Sequence, residues 1–291
     1  MTVLAAGAMA ILTSGAHSQA PDTEIFLVPI TITDSRTSLG TPRNITARAG
    51  YDNQPNFTPD GRAIFYTSVR DDAQADIYRY DIASGATTRV TATAPESEYS
   101  PPVIPCEEAI SVVRVERDST QRLWRFPLDG GAPTVILEHV KPVGYHAWAG
   151  AGTLFMFVLG DPPTLQRAAP GDSGAAVLAE GIGRSIQPMP GGGVSVVLKV
   201  APDEWWISRV DPGTNSVERL VRTRPGQEDY AWMPDGSLLM AEGNTLYRWT
   251  PGGGWMAVTT FTDPALARVS RLAVSPDGRW LAVVGLALAV R

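Results

Sequence analysis

The chain has 291 residues, 44% of them hydrophobic and 19% charged, which is ample for one globular core. A formal net charge of −6 with no run of five like charges argues against nucleic acid as a partner, since such binders show a basic stripe. The one cysteine, Cys106, cannot form an internal disulfide, and Glu107 and Glu108 beside it would raise its thiol pKa, so it reads as a turn residue without redox chemistry.

Residues 1–20 begin with an apolar run, Val3 to Leu12, that ends in small residues. The run is too short to span a bilayer and reads as the apolar part of a secretory signal, although no Lys or Arg precedes it. Ser14-Gly15-Ala16 and Ser18-Gln19-Ala20 both fit a small-x-small cleavage site, which sets a single mature domain over residues 21–291. No cysteine follows the run to carry a lipid, and no later segment is apolar for long enough to cross a membrane. A periplasmic or secreted protein is expected.

From Asp22 the chain alternates with the period of strands. Asp22 to Pro29 and Thr41 to Thr46 read as a third and a fourth strand that lack a first and a second. Asn53 to Thr91 gives a whole unit. Pro55 to Phe57 is a short apolar run, Pro59-Asp60-Gly61 a tight turn, and Ala63 to Ser68 a β-branched and aromatic strand. Asp76 to Asp81 alternates, Ala83-Ser84-Gly85 turns, and Thr87 to Thr91 closes the unit. Counterparts of the first turn begin at Pro105, Gly150, Pro190, Pro234 and Pro276, so successive starts lie 46, 45, 40, 44 and 42 residues apart. Each is followed by a β-rich run, and most by a third strand carrying an aromatic; Thr164 to Gln166 is the weakest of these. Val269 to Val274 and Trp280 to Val284 end the series as a first and second strand, which the N-terminal pair completes. Six stacked copies predict an all-β, six-bladed β-propeller whose last blade is shared between the N- and C-terminal strands, which closes the ring and removes two sheet edges. Phe57, Trp148, Trp232 and Val274 each fall two residues before a turn and are expected to be buried between blades.

The Pro-Asp-Gly turns and the strands after them resemble the propeller repeats of TolB and its relatives, periplasmic proteins of Gram-negative envelopes, over residues 22–285. The resemblance implies a non-enzymatic propeller that docks an envelope protein or peptide at the mouth of its central channel. A monomer without a cofactor is expected. TolB carries an α/β domain ahead of its propeller, and this sequence shows no counterpart of it.

Chemistry is sparsely signalled. Gly171 to Gly174 (GDSG) matches the nucleophile string of chymotrypsin-like proteases, but it sits in a turn, where Gly, Asp and Ser are expected anyway. No G-x-S-x-G, H-x-x-x-H or C-x-x-C occurs, which argues against a prolyl-oligopeptidase-type hydrolase and a zinc site. Alignment on the turns brings the start of each inner strand to the channel mouth. The candidate binding residues there are Asp52, Asn53, Glu98, Tyr99, Tyr145, His146, Arg184, Glu228, Asp229 and Arg271. Tyr and Arg are the usual anchors of protein interfaces, and Asp229 is expected to face a cation on the partner. The alternative is a metal-dependent small-molecule hydrolase, similar to the six-bladed lactonases that hold calcium. Asp52, Asn53, Glu98, Glu228 and Asp229 would be its oxygen ligands.

Overall fold

The computed structural model describes residues 21–33, 36–70, 74–211 and 213–286; the expected signal at 1–20 lies outside them. Among the described residues the strands form six antiparallel sheets. Blade one runs Asp52–Phe57, Ala63–Val69, Ala75–Asp81, Thr87–Arg89. Blade two runs Ser97–Tyr99, Ala109–Val115, Gln121–Pro127, Thr134–Val135. Blade three runs Val143–Trp148, Leu154–Val158, Thr164–Ala168, Ala176–Glu180. Blade four runs Ile182–Pro188, Val194–Ala201, Glu204–Val210, Val217–Arg222. Blade five runs Tyr230–Trp232, Leu238–Glu242, Thr245–Trp249, Trp255–Thr260. No described helix is long and apolar enough to cross a membrane.

Blade six joins the two ends of the chain. Val269–Val274 pairs Trp280–Leu286, and Thr23–Thr33 follows on the other side. Thr23 to Pro29 runs opposite Leu286 to Trp280 without a break, Ile25 facing Val284 and Val28 facing Leu281. The outer edge differs from the sequence reading. Arg36–Leu39 folds back on Ile30 to Thr33 as a hairpin, and only Arg43–Asn44 of the expected fourth strand pairs.

The blades are held by apolar faces pressed against each other. Side chains alternate across a strand, so a strand inside a stack must be apolar on both faces. Ile25 and Leu27 therefore pack with Ile64, Tyr66, Tyr78 and Tyr80 of blade one. Phe26 and Val28, one residue out of phase, pack with Met233, Leu239 and Leu246 of blade five. The other interfaces repeat this pattern: Phe65 and Ile77 meet Ile110 and Val112, while Leu123 meets Leu154 and Met156. Phe155 meets Val194 and Val196, and Val197 meets Leu238 and Met240. Trp148 is buried as expected, whereas Phe57, Trp232 and Val274 are half-buried at the margins of these clusters.

The Pro-Asp-Gly turns follow the sequence reading, and the other copies vary it. Gly61, Gly236 and Gly278 adopt φ of 68°, 80° and 71° as the residue that closes the turn. In blade two the positive φ moves one place earlier, to Cys106 at 64°, and Glu107 closes the turn. A positive φ at the second central residue is the type II geometry, which is why this copy dispenses with glycine at the closing position.

Candidate functional site

A cavity of about 300 Å³ lies on the propeller axis. Tyr145, His146, Arg184, Asp229 and Arg271 line it, as the alignment placed them, together with Gln54, Ser100, Ser185 and Gln187. The inner strands of blades one, three, four and six lose register between Asn53 and Asn56, Val143 and Tyr145, Ile182 and Ile186, and Val269 and Arg271. A bulge re-aims the residue it inserts. Gln54, Tyr145, Arg184 and Arg271 sit at or beside these breaks and contribute to the cavity wall. Glycine permits two of them. A Cβ at Gly183 would fall 2.6 Å from Glu228 Oε2, and one at Gly144 would fall 3.0 Å from the Phe157 ring.

The mouth is an interlocked set. Arg184 Nη2 donates to Asp229 Oδ2 at 2.6 Å, and Arg271 Nη1 lies 3.5 Å from Asp229 Oδ1. Arg271 Nη2 donates to the Tyr145 hydroxyl at 2.9 Å, while the guanidinium carbon lies 4.9 Å from the centroid of the same ring. Glu228 accepts from Lys199 Nζ at 2.9 Å and from the Arg184 amide at 3.1 Å. Burial works against the charge on Arg184, but Asp229, Tyr145 and Glu228 outweigh it and hold its pKa above the ordinary value. Tyr51, absent from the sequence-based set, joins this field. Burial raises its pKa against the pull of Arg271, with Tyr145, Tyr99 and Arg184 close enough to act on it.

The other candidates turn away from the cavity. Asp52 is fully buried and takes Arg48 Nη1 at 3.0 Å. Glu98 is fully buried, accepts from Thr93 Oγ1 at 2.5 Å and lies 3.3 Å from Arg114 Nε. Burial raises both carboxyl pKa values, the partner hydroxyls and guanidiniums offsetting only part of the effect. Asn53 caps the amide of Gln54 at 2.8 Å, and Tyr99 packs against the core between blades two and three. Of the oxygen ligands envisaged for calcium, Asp52 and Glu98 are held by Arg48 and Arg114, Asn53 by the Gln54 amide, and Glu228 and Asp229 by Arg184 and its neighbours, and among the described residues no three His, Cys, Asp or Glu side chains gather as a metal group.

Among the described residues, His146 makes a contact that resembles catalytic machinery. Its Nε2 lies 2.7 Å from Ser111 Oγ, which also receives Trp148 Nε1–H at 2.8 Å. Indole N–H only donates, so the serine proton goes to His146 or to the Pro102 carbonyl 3.5 Å away, and the imidazole tautomer follows from which of the two it meets. His146 Nδ1 has no hydrogen-bond partner among the described residues. Blade four repeats the arrangement: Ser195 Oγ lies 2.7 Å from the Tyr230 hydroxyl and receives Trp232 Nε1–H at 2.8 Å. Tyrosine replaces histidine in the twin, and both serines are fully buried, so each is a bridge between neighbouring blades and not a nucleophile.

No protein-family model and no curated protein sequence matches this chain. Solved structures do share its fold. A TolB-type protein from Agrobacterium tumefaciens superposes with a TM-score of 0.70 at 16% identity, covering 91% of this chain and 98% of that one. TolB from Acinetobacter baumannii gives 0.61 at 14% identity, covering 91% of this chain and 63% of that one. An oligogalacturonate lyase from Vibrio parahaemolyticus gives 0.59 at 13% identity, covering 91% and 88%. The chain therefore has the six-bladed β-propeller fold found in TolB, a fold that also serves a lyase.

Proposed function

We propose that this chain is a non-enzymatic binding module of the cell envelope, periplasmic or secreted, that docks a protein or peptide on the channel mouth. The carrying observation is the mouth itself. Tyr145, Arg184, Asp229 and Arg271 come from four blades and are already locked to one another, so little side-chain entropy is lost when a partner arrives. Tyr and Arg in that setting are typical anchors. Two further points support binding over hydrolysis. The mouth carboxylates are engaged by arginine or lysine, and the Ser111–His146 contact has a non-catalytic twin. TolB-like neighbours favour an envelope location, whereas the lyase neighbour is the reason to test for activity as well.

The test is capture from a Gram-negative envelope extract by the immobilised chain. Tyr145→Ala and Arg184→Ala are compared with Arg209→Ala, whose ion pair with Glu218 lies on an exposed outer edge. Loss of one captured protein by the two mouth variants alone supports the reading, with melting curves to show that all three are folded. Equal capture by all three moves the site elsewhere. Stoichiometric calcium binding in a titration, with a hydrolytic activity lost on chelation, would restore the enzyme alternative.

A further inference from the structure

The charges at the mouth do not balance. Among the described residues, the carboxylates that Arg184, Arg271 and Lys199 meet are those of Asp229 and Glu228. Asp229 gives one oxygen to each arginine, and Glu228 is taken by Lys199 and the Arg184 backbone. Asp52 and Glu98 are committed to Arg48 and Arg114. One positive charge is left over, in a protein whose formal net charge is −6.

Unmet hydrogen-bonding groups lie on the same wall. Among the described residues Arg184 Nε has no hydrogen-bond partner, with Glu228 Oε1 3.5 Å away. Ser100 Oγ and His146 Nδ1 also lack one among the described residues, although both residues are only 7% exposed. A serine hydroxyl rotates to donate, and an imidazole nitrogen donates when it carries the proton. An excess cation that is only partly exposed, beside polar atoms without a partner, favours an acceptor that carries negative charge.

We propose that the cavity takes the side-chain carboxylate of an Asp or Glu carried on an extended segment of the partner, with Arg184 and Arg271 on either side of it. A cavity of about 300 Å³ admits one such side chain and its neighbours but no folded domain. Planar guanidinium and planar carboxylate match in shape as well as charge, which a lysine-lined pocket would not achieve. The inference rests on the binding reading above and names the chemistry of what is bound.

Calorimetry with blocked peptides tests it. The probes are acetyl-Gly-Gly-Glu-Gly-Gly-amide, its Gln counterpart, and acetyl-pentaglycine with a free C-terminus. The folded wild-type chain should bind the Glu peptide at least about tenfold more tightly than the Gln peptide. Arg184→Gln should remove most of that difference, while Arg271→Lys, which keeps the charge but loses the fork, should reduce it. Equal binding of the Glu and Gln peptides to wild type, or no heat from either at millimolar concentration, overturns the proposal. Tighter binding of the free acid assigns the site to a C-terminal carboxylate and overturns the side-chain assignment. These outcomes leave the docking reading standing if mouth variants still lose the envelope partner. That reading fails separately, if mouth and edge variants capture alike.

Discussion

Ser111 and Ser195 each satisfy two side chains of the following blade, and the residues they hold are the sharpest tests of the packing. Trp148 is 5% exposed and pinned through its indole N–H, so Trp148→Ala should cost about 3–5 kcal/mol in urea unfolding. Trp232 makes the same bond from a half-buried position, so Trp232→Ala should cost less than Trp148→Ala. The reverse order would show that the repeats do not share their packing. His146 adds a pH dependence. Burial pushes its pKa down to about 3, whereas an unfolded chain takes up the proton near pH 6.5. Between those values the unfolded state binds more protons, so stability falls as the pH drops, by about 2 kcal/mol at pH 5. Asp52 and Glu98, with raised pKa values, act in the opposite sense, since the stability they contribute is lost as the pH rises. The measurement is therefore a difference: between about pH 7.5 and about pH 5 the wild type should lose more stability than His146→Gln. Equal losses would mean that His146 is not held neutral in the core.

Blade six decides whether the ring closes. Its third strand comes from the N-terminal end and its first two from the C-terminal end, and the pairing runs unbroken from Thr23 opposite Leu286 to Pro29 opposite Trp280. Deleting residues 22–46 removes Ile25 and Leu27 from one core and Phe26, Val28 and Ile30 from the next. It also exposes the edge of Trp280–Leu286 to other chains. The truncated protein should lose its cooperative thermal transition and associate in size-exclusion chromatography. A monomer with a wild-type melt would sink the shared-blade account. This blade was legible because apolar alternation and turn spacing are properties of the local sequence. Arg36–Leu39 was not, because RTSL offers one apolar residue, Leu39, which packs on the core but is too little for an alternation to show. The site was half legible for a related reason. Turn alignment brings Tyr145, Arg184, Asp229 and Arg271 to the mouth, but the face each strand residue presents reverses with a one-residue slip. Asp52 and Glu98 consequently turn inward to Arg48 and Arg114 while Arg184 reaches the cavity. Gly144 and Gly183, glycines inside strands, were the available signals of those breaks.

At the scale of the whole molecule, an acidic propeller carries a locally positive mouth, and Asp229 is the residue on which that sign turns. Read from sequence, Asp229 is an anion waiting for a partner's cation. In the structure it meets its cations within the chain, with Arg184 on one oxygen and Arg271 on the other. Removing its charge therefore does not unmake an intermolecular pair but frees two guanidiniums. Asp229→Asn keeps the side-chain shape and one oxygen acceptor, while raising the charge of the mouth by one. If the partner presents a carboxylate, association should quicken at low salt, because opposite charges steer the encounter. The gain should fade as the salt approaches physiological strength, where charges more than about 8 Å apart are largely screened. Stopped-flow association of the captured partner across a salt series, with Arg209→Ala as the reference, measures both effects. Slower association by Asp229→Asn, with a flatter salt dependence, would instead show that the partner brings a cation and that Arg184 and Arg271 release Asp229 to receive it.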